Sequence, residues 1–445
     1  MINCFEATDT YDNLLTGLSG YSDQMKELVK AKWQGKSMKL IGFGDCDFLA
    51  TIFGIAGASG TYPCYVCLVH KNTMQVSLAD RADSTPRTLA VIRNDYQRFV
   101  NHGENKKDQS RFHNVIHEPL LPIEPSDVCI PYLHILLGLT LKHHDLMELY
   151  CNDLDIAIAT ELAKTSKGDD SSPYQQLVKT KNTIHQMEKK IFNLNSEIED
   201  LGEEENMSLN KMAKKRKKKQ QERDKIHKKV ESLKKNLHLK PGSGPVAASL
   251  DVTLKKHNIE RKKYFGKTFV GNDCVKYARP GVYFDVCNSI VKKTNTLTNN
   301  PKLQKKAIQI YKTFRKLFYY FSTIHFQISH SRALPDDCFP RIDQAIKAYM
   351  KFYRKRFPKF RITLKQHMLE EHVLPFLMKW KVGFGFLGEQ GGESIHHKVA
   401  VISRHMVGIR QPSQRLLATV QEHHLHANPE VRAMYPMIKK RKKSN

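Results

Sequence analysis

Two fragments more than three hundred residues apart constrain what this chain can fold into. Cys64-Tyr65-Val66-Cys67 lies near the start, and His367 with His372 lies just ahead of a segment carrying Glu389 and Glu393. A Cys-x-x-Cys knuckle sets two thiolates one tight turn apart, and two imidazoles five residues apart reach the same ion if their segment bends. Tetrahedral zinc takes four such ligands. Read together, the fragments predict one zinc site closed between distant parts of the chain. Asp45 follows the apolar run Met38-Lys39-Leu40-Ile41 and places an acid at an expected strand end beside the first half. Each half of the site therefore has a carboxylate close by in sequence.

Each fragment also has a plainer reading. The cysteines can be two buried thiols in a glycine-rich turn, or a redox pair. A redox pair normally opens a helix in a thioredoxin-like βαβ unit, whereas Pro63 and several glycines precede this one. His70, three residues past Cys67, is a reserve ligand that competes with the distant histidines. His367 and His372 can be exposed residues of an amphipathic helix, and His396-His397 forms a separate cluster open to DNA or metal. Glu389 and Glu393 are four apart and share a helix face, with Gly391-Gly392 between them allowing close approach of another strand. The alternative is a glycine-broken loop. Carboxylates gathered from distant elements hold two divalent ions that activate a water or hydroxyl and stabilise the leaving oxygen of a phosphodiester. Asp45 and Glu393 would supply two of the usual three acids.

Charge points to the partner. Among 445 residues, 72 are Lys or Arg and 45 are Asp or Glu, a formal charge of +27. Such a surface favours a polyanion through phosphate contacts and counterion release. DNA is preferred over a membrane surface, because no amphipathic helix with a clear aromatic face stands out. The hydrophobic fraction of 40% is that of a globular protein and excludes disorder throughout. Nine cysteines without framework spacing suit a reducing compartment. No leader pattern and no apolar span of about 18 residues occurs, so a soluble intracellular protein without membrane contact is expected. No small-molecule organic cofactor is expected.

Along the chain, residues 1–68 read as strand, helix and strand followed by the knuckle: Ile2 to Ala7, an Asp9-initiated helix, then Lys39 to Gly42. Residues 69–360 read as a helical insertion with a coiled-coil hairpin over 174–238. The hairpin's apolar positions are Leu177, Ile184, Met187, Ile191, Leu194, Ile198 and Leu201, answered by Ile226, Val230, Leu233 and Leu237. Gly202 to Asn210 forms the polar turn, and Lys240 to Pro245 a flexible exit. A parallel dimerising coiled coil is the alternative. Residues 361–410 hold the histidine pair and the acidic helix, and 411–445 a helical, basic tail. The run Lys214, Lys215, Arg216, Lys217, Lys218, Lys219 is a candidate DNA-backbone contact or nuclear import signal, as is Lys439 to Lys443. Either run can also be a solvated helix face.

This arrangement resembles the DDE transposase superfamily, in particular the Transib-like group that includes the catalytic subunit of the V(D)J recombinase. The resemblance runs through Gly44-Asp45, Ser59-Gly60, Cys64-x-x-Cys67, His367-x4-His372 and Glu389-Gln390-Gly391-Gly392-Glu393-Ser394, about a fifth of the chain. It implies an α/β fold with a large all-α insertion: an RNase H-like core, here partial, interrupted by a helical domain and joined by zinc. It implies Asp45 as the second catalytic acid and Glu393 as the third, both binding Mg²⁺ or Mn²⁺. Cys64, Cys67, His367 and His372 become ligands of a structural zinc. It further implies DNA strand cleavage and joining, a nuclear location and a homodimer. The family's first two strands and first catalytic Asp would precede Met1, since Asp9 and Asp12 stand too close to Asp45 to take that place. An incomplete triad, inactive by itself, is the expectation. A domesticated, non-catalytic DNA-binding or scaffold protein is the alternative, and a general zinc-finger protein recruiting partners through the hairpin is a third.

Overall fold

The computed structural model describes residues 10–165, 173–200, 209–236, 244–262 and 268–434. In chain order these form α1 (Tyr11–Lys30), two-residue strands β1 (Lys32–Trp33) and β2 (Lys36–Ser37), α2 (Cys46–Ile52), α3 (Leu89–Asn101), α4 (Tyr132–Thr165), α5 (Pro173–Asp200), α6 (Leu209–Asn236) and α7 (Pro245–Lys256). There follow α8 (Gly271–Tyr277), α9 (Pro280–Leu297), α10 (Pro301–Ile328), α11 (Phe339–Arg356), α12 (Leu364–His367), α13 (Val373–Trp380), α14 (Gln390–His405), α15 (Pro412–Ala427) and α16 (Pro429–Met434). The protein is mostly helical, with few strands. Contacts divide it into two compact units, one of Met1–His134, Ser329–Asp336 and Ile362–Asn445, the other of Ile135–Ile328 and Asp337–Arg361. The sequence span 69–360 takes in all of the second unit but its last residue, Arg361, together with two stretches of the first, 69–134 and 329–336. Among the described residues no helix is long and apolar enough to cross a membrane.

The first unit opens on α1, capped by the Thr10 side chain accepting from the Asn13 N–H. The strand expected over Ile2–Ala7 and the helix start at Asp9 lie outside the described residues. After α1, β1 and β2 pair antiparallel around Gln34 and Gly35, both with positive φ, the conformation that a tight two-residue hairpin demands. The strand expected at Lys39–Gly42 is not formed. It is reduced to one parallel bridge between Gly42 and Val128. Its partner segment is bracketed by Pro125 and Pro131, which cannot donate to a ladder, so pairing ends almost where it begins. Gly54 shows why a glycine-rich stretch follows: its φ is +70°, and a Cβ there would meet the His117 carbonyl oxygen at 2.0 Å. Its own carbonyl accepts the N–H groups of Ile116 and His117.

The second unit is helix packed on helix. One face of α10 buries Ile310, Phe314, Leu317, Phe321, Ile324 and Ile328, at the three- and four-residue spacing of an amphipathic helix, and packs on α9 and α11. The Asp155 carboxylate accepts the Val246 and Ala247 N–H groups, each at 2.9 Å, and so caps α7. Helices α5 and α6 pack on one another, burying Ile184, Leu194 and Val230. Lys190 pairs with Glu222 at 2.7 Å and Glu197 with Lys219, so rising positions on one helix meet falling positions on the other. They are antiparallel, as the hairpin reading requires. Residues 201–208 and 237–243, with Leu201, Leu237 and most of the expected turn and exit, lie outside the described residues, as do the side chains of Leu177 and Ile198.

Candidate metal centre

The knuckle is built on a scaffold of backbone hydrogen bonds. Leu68 donates its N–H to the Thr85 carbonyl and Arg87 donates its N–H to Val66, holding Cys67 opposite Pro86. Within the turn the Val66 N–H points at the Cys64 Sγ, 3.4 Å away. The Arg87 side chain, 2% exposed, then clamps the loop from inside. Its Nε donates to the carbonyls of Cys64 at 2.8 Å and Cys67 at 3.2 Å, and its Nη2 to those of Tyr62 and His113. Its charge also lies close to both thiols. Against burial, the Cys67 thiol, the loop N–H groups and this charge hold Cys64 below the ordinary thiol value, while Cys64 and burial push Cys67 up to about 11.

The second half rests on a local departure from helical geometry. Thr363 and Gln366 form a reciprocal capping box that starts α12. Gln75 pins the entry, accepting the Ile362 N–H at 2.7 Å and donating to the Ile362 carbonyl. From Met368 to His372 the chain widens into a π turn, with the Val373 N–H reaching back to the Met368 carbonyl. In a regular α-helix, five residues advance about 500°, which leaves two side chains roughly 140° apart. An i→i+5 turn brings the fifth residue back over the first. This is the bend that the five-residue spacing required.

The halves meet. Cys64 Sγ lies 3.3 Å from His372 Nε2, Cys67 Sγ lies 3.3 Å from His367 Nε2, and the two imidazole nitrogens are 3.1 Å apart. All four ligand atoms are buried and fall within 4.8 Å of one another. A tetrahedral zinc, bonded at about 2.0 Å to nitrogen and 2.3 Å to sulfur, sets its ligand atoms about 3.3 to 3.7 Å apart. The donor set and spacing therefore fit such an ion, and this cluster can bind a metal such as zinc. His70 is not part of it: its Nδ1 accepts from the Asn72 N–H and its ring meets Tyr62 edge-on.

An outer layer orients the ligands. His367 Nδ1 lies 2.7 Å from Glu371, which is paired in turn with the buried Arg81. Arg81 also donates to Ser84. Burial works against charge on both members of the His367–Glu371 pair. The partners prevail: the Cys67 thiol, followed by Glu371, raises the imidazole to about 9, and His367, with Ser84 and Arg81, lowers the carboxyl to about 2. A carboxylate behind a ligating imidazole fixes its tautomer and raises its basicity. Glu371 was legible in principle, since it sits one α-turn past His367. Arg81 and Arg87 had no sequence signal, because nothing in a lone arginine announces the carbonyls or carboxylate that it will meet.

The acids expected to do chemistry are placed differently from expectation. Asp45 is no strand end; it is the N-cap of α2, its Oδ1 accepting the Phe48 N–H at 2.7 Å. Glu389, 6% exposed, precedes α14 and accepts from the His134 backbone N–H at 2.9 Å, with His134 Nδ1 3.0 Å away. That hydrogen bond raises the pKa of His134 against the opposing effect of burial, and the charges of Glu389 and Asp45 add to it. Glu393 belongs to α14, but its side chain lies outside the described residues. Among the described residues, no group of three or more metal-ligating side chains gathers at Asp45; the one that converges is the Cys2His2 cluster. The basic run 214–219 lies on α6, where Lys214, Lys215, Lys217 and Lys218 are exposed and Lys219 pairs with Glu197. The Arg216 side chain and the run Lys439 to Lys443 lie outside the described residues. No protein-family model matches the chain, and no curated protein matches it.

Proposed function

We propose that this chain is a zinc-containing, DNA-binding protein of the transposase or recombinase kind, derived from a metal-dependent enzyme that cleaves and joins DNA strands. The observation that carries the reading is the closure of Cys64, Cys67, His367 and His372 across 300 residues, in the order Asp45, cysteine pair, helical stretch, histidine pair, helix bearing Glu393. Net charge of +27 supports the DNA partner, and the Lys/Arg runs at 214–219 and 439–443 support a nuclear location. An RNase H-like ancestry and a homodimer belong to the same proposal. Zinc in this reading is structural. Its ligands are all protein side chains, which leaves no open position for a substrate.

In the enzymatic form of the proposal, Asp45 and Glu393 hold Mg²⁺ or Mn²⁺. No residue of this sequence is assigned the first acid of the triad, so strand transfer by this chain alone is not expected. A second reading, a domesticated zinc-bearing DNA-binding or scaffold protein without chemistry, is favoured by Asp45 serving as a helix cap and Glu389 being held by His134.

The test is metal analysis of the purified protein combined with a nicking assay on supercoiled DNA in Mn²⁺. One zinc per chain, lost in the Cys64→Ser, Cys67→Ser double variant together with the folded first unit, is the expected result. Folded wild-type protein without zinc would remove the foundation of the proposal. Nicking abolished by Asp45→Asn or Glu393→Gln would select the enzyme, and no nicking by any form the scaffold.

A further inference from the structure

We propose that the groove between α9 and α10 binds an unpaired DNA strand, with bases stacked on Phe284 and Tyr319 and phosphates held by Lys312, Arg315 and Lys316. The proposal rests on the nucleic-acid part of the preceding reading and is independent of its zinc and catalytic parts.

The sequence of α10 sets up the surface. Its 28 residues contain six Lys or Arg and no Asp or Glu. Lys312, Arg315, Lys316 and Tyr319 stand at i, i+3, i+4 and i+7, so they form one stripe, on the side of α10 away from its buried apolar face. The stripe borders a groove of about 790 Å³ whose other wall is the first turns of α9, including Tyr283 and Phe284. Two of the aromatic rings are exposed where a buried position would be ordinary: Phe284 at 41% and Tyr319 at 56%. Arg315 lies over the rings of Phe284 and Tyr311, at 5.5 and 5.7 Å, and donates to the Tyr311 hydroxyl. Lys316 lies over Tyr320 and Phe352. Among the described residues, no carboxylate pairs with Lys312, Arg315 or Lys316, although many other cations of the chain are paired.

Three unneutralised cations call for an anion, and exposed aromatic faces beside them call for a flat, polarisable group. A single strand offers both at once, a phosphate on each nucleotide and an unstacked base face. A duplex offers phosphates only, because its base faces are already stacked within the helix. An acidic protein would satisfy the charges and leave the exposed parts of the Tyr319 and Phe284 rings without a planar ligand to cover them. The observations therefore favour the unpaired strand over the duplex.

The experiment measures fluorescence anisotropy of labelled oligothymidylate, a duplex of equal length and the matching RNA, across a salt series. Wild-type protein is compared with Phe284→Ala/Tyr319→Ala and with Lys312→Gln/Lys316→Gln. Each aromatic substitution truncates an exposed ring and leaves no buried cavity. Gly281→Gln is a second kind of variant, since a Cβ at Gly281 meets nothing within 4 Å and the longer side chain obstructs the groove without deleting a contact. The aromatic variant and Gly281→Gln should bind oligothymidylate at least tenfold more weakly, about 1.4 kcal/mol, with duplex affinity unchanged. The lysine variant should shallow the salt dependence by about 1.4 in log–log slope. Equal oligothymidylate binding by wild type and aromatic variant overturns the groove and leaves DNA binding standing elsewhere. Equal losses for duplex and single strand, or preference for RNA, overturn the assignment to unpaired DNA. Wild-type protein that binds none of the three overturns the nucleic-acid reading as well.

Discussion

Arg87 and Glu371 hold the metal site without being ligands. Replacing Arg87 by Met leaves four carbonyls, two of them in buried hydrogen bonds, without their charged donor and should cost about 3 kcal/mol, read as a lower denaturant midpoint for the first unit. Glu371→Gln keeps the shape and removes the charge behind His367. Zinc affinity should fall about 10- to 100-fold, measured by competition with a chromogenic chelator, while the metal-loaded fold persists. The four ligands were legible only together: either pair has an ordinary reading by itself, but the two pairs complete one tetrahedral donor set. The residues around them were not, since a guanidinium can serve any carbonyl the fold brings to it. Asp45 teaches the converse. A carboxylate beside a metal half looked chemical, yet an Asp three residues before a free helical N–H is also what a helix start requires.

At the scale of elements, helices were easier to anticipate than strands. The 3.6-residue period is written locally, and α10 and the α5–α6 pair follow it. A strand depends on a partner elsewhere, and Lys39 to Gly42 made only one bridge, at Gly42, before the prolines of the partner segment closed the ladder. The π turn was implied by the five-residue histidine spacing, although nothing in Met368-Leu369-Glu370-Glu371 names the form of the bend. Its entry depends on the capping box of α12. Thr363→Ala should destabilise the first unit by about 1 kcal/mol and speed zinc loss to a chelator, with Thr363→Ser close to wild type.

For the whole molecule, two compact units with different dependences should unfold separately. Chelation under reducing conditions should lower one calorimetric transition and leave the other, that of the second unit, in place; a single transition shifted as a whole would contradict this. The second unit has its own sensitivity to acid. Burial lowers His325 to about 4 and His143 to about 3, against an ordinary value of 6.5. Both rings are held neutral in the fold and take up protons on unfolding. Their contribution is complete above pH 6.5 and declines as pH falls, by about 1.4 kcal/mol per unit for each histidine, until the folded-state values are reached. His143→Phe should flatten the slope of stability against pH between 6.5 and 4 by one histidine's share, whatever it does to stability at neutral pH.

The separation of the ligand pairs also orders events in time. Synthesis at roughly 5 to 20 residues per second puts about 15 to 60 s between the emergence of Cys67 and that of His367, 300 residues later. For that interval the knuckle has two of its four ligands, and its thiols stand open to oxidants or to other proteins on the nascent chain. All residues of the second unit emerge within the same interval. Assembly on the ribosome is thus inverted relative to sequence: the middle of the chain can fold first, and the beginning must wait for the end.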